Sequence, residues 1–143
     1  MITFLRSVFH ALLSRPGSAT STDRTIVLVG HCGPDMFMLK TAASRAVADV
    51  PIVSINDAAT LEPHLHAGTV LLVNRVLDGA FPSDSGIDLI GEIADGDDAP
   101  TCILISNLPE AQERAIAAGA MPGFGKNALY DAMTAEILRE AAG

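Results

Sequence analysis

The feature that most constrains this fold is an alternation of short apolar runs with stretches of helical spacing. From Thr25 onward, short runs that are mostly apolar and β-branched predict strands at residues 25–29, 52–55, 69–73 and 102–105, and a brief one at 121–124. Runs without polar alternation are typical of strands that are buried on both faces, as in a parallel sheet.

The stretches between these runs predict helices. Their ranges are 36–49, 58–66, 85–94, 110–118 and 128–142. Asp35 and Asn127 are the predicted N-caps of the first and last helix, and Gly119 is the predicted stop of the fourth. Leu129, Met133, Ile137 and Leu138 are expected to face inward. Five strand–helix units joined by right-handed crossovers predict an α/β fold, a doubly wound five-stranded parallel sheet of flavodoxin-like order 2-1-3-4-5.

Residues 1–22 differ from the rest and predict an extra N-terminal helix and linker before a domain at 23–143. Apolar residues recur at helical spacing, and Pro16-Gly17-Ser18 ends the pattern. The apolar set is Phe4, Leu5, Val8, Phe9, Leu12 and Leu13. Three roles remain open for this amphipathic segment: docking onto its own domain, self-association, or shallow attachment to a membrane.

Composition narrows the function classes. The formal net charge of −8 disfavours nucleic acid, whose phosphates bind Lys and Arg. No apolar run approaches the ~20 residues of a membrane span. Cys32 and Cys102 lack the spacing of a metal or thioredoxin-like motif, so we expect reduced thiols in a cytoplasmic protein.

Polar residues follow each predicted strand at the edge where sheets of this kind carry their sites. They are Gly30-His31-Cys32, Asn56-Asp57, Asn74-Arg75, Ser106-Asn107 and Gly125-Lys126. Because the first strand is expected between the second and third, Gly30, Asn74, Ser106 and Lys126 should converge.

Three segments, GAMPGFGK at residues 119–126, ILIS at 103–106 and TVLLVN at 69–74, together resemble the receiver domains of response regulators (the CheY-like family). Residues 119–126, GAMPGFGK, are similar to the G-A-x-x-[YF]-x-x-K end of a receiver. Residues 103–106, ILIS, resemble the fourth receiver strand, and residues 69–74, TVLLVN, resemble the third. The likeness extends over about residues 25–142 and implies a two-component signalling domain.

The departures from the receiver pattern concern its chemistry. Receivers carry two acidic residues after the first strand and a phosphoacceptor Asp after the third; this chain has Gly30 and His31, and Asn74. The resemblance therefore implies a degenerate phosphorylation pocket of Gly30, His31, Asn74, Ser106 and Lys126, without the oxygen ligands that Mg²⁺ requires. Lys126 is expected to have lost its anionic neighbours.

Two further departures concern switching. Gly123 stands where receivers often place the aromatic residue of their relay. The loop at residues 76–85 is about four residues longer than usual, by alignment with the receiver pattern. Loop carboxylates Asp57 and Asp78 would have to supply any cation site.

We therefore expect a non-phosphorylatable signalling or adaptor domain that is not an enzyme and needs no cofactor or metal. Its partner would be a protein, bound through the last helix and its neighbouring strand, and the N-terminal or last helix could form a homodimer. One alternative is a phosphate, nucleotide or other small-molecule binder that uses Gly30, Gly33, Ser106 and Lys126. Another is a thiol-dependent enzyme at Cys32.

Overall fold

A computed structural model describes residues 24–143 and contains a five-stranded parallel sheet. Its strands are β1 (Thr25–Val29), β2 (Ile52–Ile55), β3 (Thr69–Asn74), β4 (Thr101–Ile105) and β5 (Met121–Phe124). The spatial order β2-β1-β3-β4-β5 confirms the predicted fold class. It places the carboxyl ends of β1, β3 and β4 side by side.

Helices cover both faces of the sheet. They are α1 (Gly33–Ala46), α2 (Ala58–Leu61), α3 (Gly86–Ile93), α4 (Pro109–Ala117) and α5 (Ala132–Ala142), with 3₁₀ turns at Glu62–His64 and Lys126–Ala128. α1 and α5 pack on one face, where Ile26, Leu28 and Leu72 are buried. α2, α3 and α4 pack on the other face, over Val27, Leu71 and Leu104. β1, β3 and β4 are buried on both faces, which explains why their sequences show no polar alternation.

The first two helices differ from their predicted extents. α1 begins at Gly33 rather than at 36, because its first helical hydrogen bond joins the Met36 N–H to the Cys32 carbonyl at 2.8 Å. Cys32 is therefore the N-cap, and Asp35, which we expected to cap, lies in the first turn. α2 ends early, since Pro63 has no N–H to donate within a longer helix.

The last helix also differs from the prediction. Asn127 lies within the 3₁₀ turn and does not cap a helix. Its backbone N–H donates to Asn107 Oδ1 at 3.1 Å. α5 begins only after Asp131, and the Thr134 hydroxyl donates to the Ala128 carbonyl at 2.6 Å. Met133 is consequently 69% exposed rather than inward.

The predicted N-terminal helix at residues 1–22 lies outside the described residues, as does the boundary at 23. Within residues 24–143, no helix combines the length and the apolar character needed to cross a membrane.

Candidate functional site

The long loop after β3 folds back over the carboxyl ends of β1 and β2. The Asp78 N–H donates to the Gly30 carbonyl at 3.0 Å, and the Ala80 N–H donates to the Asn56 carbonyl at 2.9 Å. Leu77 is buried beneath the loop. The loop thus covers the edge at which β1 of a receiver presents its acidic residues.

Gly79 permits this close approach. Its φ of +120° lies in a region that favours glycine, and an added Cβ would lie 2.0 Å from the Asn56 carbonyl oxygen. An antiparallel bridge between Val76 and Ser85 closes the base of the loop. The loop is therefore docked by specific backbone contacts.

Two asparagine side chains form hydrogen bonds with the backbone at the same edge. Asn74 Nδ2 donates to the Gly30 carbonyl at 3.0 Å and to the Val76 carbonyl at 2.9 Å. Asn56 Nδ2 donates to the His31 carbonyl at 3.0 Å, and its Oδ1 accepts from the Gly30 N–H at 3.2 Å. The predicted convergence of Asn74 with Gly30 is thus a direct hydrogen bond, and both N–H groups of Asn74 are in use.

His31 does not contribute its side chain to this edge. The imidazole is fully buried, and Nε2 donates to the Leu72 carbonyl at 2.8 Å, since a carbonyl oxygen can only accept. Burial lowers the pKa of His31 to about 4, with a smaller contribution from nearby Lys126. The ring is therefore neutral near pH 7, and its Nδ1 has no hydrogen-bond partner among residues 24–143.

Lys126 has an anionic neighbour, which corrects the expectation that it had none. Its ammonium donates to Asp35 Oδ2 at 2.5 Å in a half-buried ion pair. That hydrogen bond lowers the pKa of Asp35. Sequence reasoning assigned Asp35 only as a cap, although its position just after β1 was the available signal.

Three of the predicted residues line one cavity at this edge, the carboxyl-edge pocket, whose volume is about 390 Å³. Asn74, Ser106 and Lys126 line it together with Arg75 and Asn107. The Ser106 hydroxyl accepts from the Leu108 N–H at 3.1 Å. Gly30 and His31 are not among the lining residues. Arg75 and Asn107 were named from the sequence as residues that follow their strands, but they were not part of the group expected to converge.

Of the residues of the two alternative sites, Ser106 and Lys126 line the carboxyl-edge pocket, whereas Gly30, Cys32 and Gly33 are not among its lining residues. Gly30, with φ +74°, packs against Leu77, while Gly33 is the exposed first residue of α1. Cys32 is exposed at the N-cap of α1. Cys102 is buried as expected, and burial raises the pKa of its thiol to about 12.

Gly123, at the position of the receiver's aromatic residue, faces a glutamine. Gln112 Nε2 donates to the Leu104 carbonyl at 2.9 Å and to the Ser106 carbonyl at 3.1 Å, where β4 and β5 pair irregularly. A Cβ on Gly123 would lie 2.3 Å from the Leu104 carbonyl oxygen and 2.7 Å from Gln112 Oε1. The Gln112 amide thus occupies the space beside a residue that must stay small.

The residues at this edge do not fit the Mg²⁺ that the receiver resemblance implies. Mg²⁺ prefers several oxygen ligands, chiefly carboxylates. Asp35 is paired with Lys126, and the Asp57 carboxylate caps α2 by accepting from the Thr60 N–H at 2.8 Å. Within residues 24–143, no group of three His, Cys, Asp or Glu side chains is placed to hold a metal ion.

No protein-family model matches the sequence, and no curated protein matches it. Several solved structures are similar. The signal receiver domain of a DNA-binding response regulator from Colwellia psychrerythraea 34H has a TM-score of 0.63 and 15% identity, over 82% of this chain and 96% of that chain.

Two other structures agree with this match. A response regulator from Colwellia psychrerythraea has a TM-score of 0.60 and 17% identity, over 83% of this chain and 96% of that one. A response regulator receiver domain from Rhodospirillum rubrum has a TM-score of 0.56 and 15% identity, over 82% and 90%. At such identities the likeness concerns the fold, and residues 24–143 have the fold of response-regulator receiver domains.

Proposed function

We propose that this domain is a receiver-like signalling module that binds a protein partner without being phosphorylated, and that it is not an enzyme. The observation that carries the proposal is the double hydrogen bond of Asn74. Its Nδ2 donates to both the Gly30 and the Val76 carbonyls, so the position of the phosphoacceptor is committed to holding the backbone.

The chemistry of this position supports the proposal. Phosphoryl transfer to a receiver needs a carboxylate nucleophile and a cation that offsets charge on the phosphoryl oxygens. An amide is a poor nucleophile because its nitrogen lone pair is delocalised. The carbonyl of Gly30 already accepts from Asn74 and from the Asp78 N–H.

What remains of a receiver is a rigid α/β body whose outer helices can contact a partner. The last helix was the expected binding face, and Met133 in its first turn and Tyr130 just before it are both strongly exposed. Exposed aromatic and methionine side chains are enriched at protein interfaces. These features support binding of a protein partner with an affinity that does not depend on phosphorylation of the domain.

The direct test is exposure to acetyl phosphate and Mg²⁺, with acid quenching and intact-mass measurement. An authentic receiver that keeps its aspartates is the positive control, since aspartyl phosphate is labile. We expect a single phosphorylated species in the control and the unmodified mass in this protein. A phosphoryl adduct that maps to residues 30–35 or 74 would overturn the proposal.

A further inference from the structure

We infer that residues 4–13 of this chain dock on an exposed apolar patch of their own domain, formed by α1 and the start of α5. This α1–α5 patch consists of Phe37, Met38, Tyr130 and Met133. The inference rests on the proposed function and adds a regulation to it, because the segment covers the face expected to bind the partner. A partner then has to displace residues 4–13.

The α1–α5 patch holds half of the large apolar side chains that are exposed within residues 24–143. Eight such side chains are exposed there, and Phe37 and Met133 are the most exposed of them, at 72% and 69%. The four outside the patch are spread over β2, the loop after β3 and the two ends of α4. Grouped apolar side chains on a protein surface mark an interaction site.

The patch is continuous across the two helices. Arg45 Cζ lies 5.3 Å from the centre of the Tyr130 ring, so a cation–π contact joins α1 to the residues just before α5. Met38 and Arg45 are seven residues apart and therefore lie on one face of α1. Met133 follows Tyr130 in the first turn of α5. One docked segment can therefore contact residues of both helices.

The point of attachment places residues 4–13 within reach of the patch. They lead to β1, whose Ile26 and Leu28 belong to the core beneath α1 and α5. Both helices follow a parallel strand and run back along the sheet, so the chain enters β1 near their carboxyl-terminal ends. The 14 residues of α1 span about 21 Å, and residues 16–23 reach about 26 Å when extended.

The sequence of the segment matches an apolar surface. Its apolar residues recur at the spacing of one helical face, which gives an amphipathic segment an apolar side to bury. They are Phe4, Leu5, Val8, Phe9, Leu12 and Leu13. Burial of this side against the exposed patch is favourable by the hydrophobic effect.

The tether and the charges favour the chain's own domain over other occupants. A short flexible linker holds a segment near its own domain at an effective concentration of about millimolar, well above that of second copies in a micromolar solution. Arg6 and Arg15 are the only Lys or Arg residues before Arg24, and residues 24–143 carry sixteen acidic residues against seven Lys and Arg. An anionic membrane would therefore attract the segment weakly and repel the domain.

The first test measures the proximity of the segment to the patch in the ¹⁵N-labelled full-length protein. A nitroxide spin label is attached to Ser7→Cys in a Cys32→Ser background, in which the buried Cys102 is protected. We expect the amides of Met38 and Met133 to lose their signals. The amides of α4, on the opposite face of the sheet, should keep theirs.

Two matched pairs of variants identify the contacting faces. Phe9→Asp should restore the lost signals, whereas Ala11→Asp, which adds the same charge on the polar side of the segment, should not. On the domain, Phe37→Glu should restore them, whereas Ile116→Glu, which changes an exposed apolar residue of α4, should not.

The second test measures coverage. Hydrogen peroxide should oxidise Met133 severalfold more slowly in the parent and in Ala11→Asp than in Phe9→Asp, as read by peptide mass. This rate reports how accessible the face is to any molecule from solution.

Several results would overturn the inference. They are unchanged Met38 and Met133 signals in the spin-labelled protein, equal effects within either pair of variants, and an oxidation rate that does not depend on residue 9. Signal loss in unlabelled ¹⁵N protein mixed with spin-labelled ¹⁴N protein would assign the patch to a second copy instead. None of these results bears on the acetyl phosphate measurement, which decides the proposed function separately.

Discussion

Restoring the receiver's acceptor by Asn74→Asp should destabilise this protein without making it phosphorylatable. The substitution removes both N–H donors of residue 74 and places a carboxylate oxygen opposite the carbonyls of Gly30 and Val76. Those carbonyls now accept at 3.0 and 2.9 Å. Two attractive contacts therefore become two repulsive ones.

The magnitude follows from the two contacts. A polar group left without its partner costs about 1–3 kcal/mol when buried. Two such groups would cost about 2–6 kcal/mol, but the Gly30 carbonyl keeps the Asp78 N–H and residue 74 is half-buried, so we expect a loss in the lower half of that range, roughly 2–4 kcal/mol. Domains of this size are typically stable by about 5–15 kcal/mol, so the variant should still fold.

Urea denaturation of three variants separates the contributions. Asn74→Ala removes the donors without adding charge, and Asn127→Asp makes the same substitution at an exposed position. Asn74→Asp should be the least stable, Asn74→Ala intermediate and Asn127→Asp close to the parent. The cost of Asn74→Asp should shrink at acid pH, where a protonated carboxyl can donate one hydrogen bond. An Asn74→Asp variant as stable as Asn127→Asp, or one labelled by acetyl phosphate, would refute the reasoning.

Three further predictions concern burial and backbone geometry. His31 is kept neutral by a pKa of about 4, so as pH falls from 6.5 to 4 the unfolded chain binds a proton that the folded state does not. Over this range the free energy of unfolding of the parent should fall by about 3 kcal/mol more than that of His31→Gln. Urea midpoints of the two proteins that change in parallel with pH would contradict this prediction. Gly79→Ala should lower the free energy of unfolding by about 2–4 kcal/mol in chemical denaturation. The control Gly96→Ala should change it little, because a Cβ there would meet nothing within 4 Å. Equal losses in the two variants would argue against the docked loop. Iodoacetamide should modify Cys32 in the folded protein and Cys102 only after unfolding, as read by peptide mass; early labelling of Cys102 would contradict its burial.

The sheet could be predicted from the sequence because its central strands β1, β3 and β4 are buried on both faces and are continuous apolar runs. The same topology predicted that Asn74, Ser106 and Lys126 meet, since parallel strands end at one edge. The ends of the helices were predicted less accurately than the strands. Asparagine commonly caps helices, but the backbone N–H of Asn127 donates to the side chain of Asn107, which lies twenty residues away in the sequence.

The rest of the site depends on contacts that leave no periodic signal. Asp35 and Lys126 are 91 residues apart, and although each follows a strand that ends at this edge, no periodic pattern indicates that they pair. The docking of the 76–85 loop depends on backbone hydrogen bonds to Gly30 and Asn56, and the glycine at position 79 is the residue of the loop whose type this docking requires. His31 was assigned to the pocket by position, but the positive φ of Gly30 turns the chain there, and the ring lies in the core.

The measurement that tests the central claim most directly is a Mg²⁺ titration followed by the backbone amides of Gly30, Asn74 and Asp78. Because two side-chain amides and a docked loop occupy the carboxyl edge, we predict no saturable shift of these amides at millimolar Mg²⁺. A saturable shift at all three, lost in Asp35→Asn, would show that the edge holds the cation after all and would contradict the account.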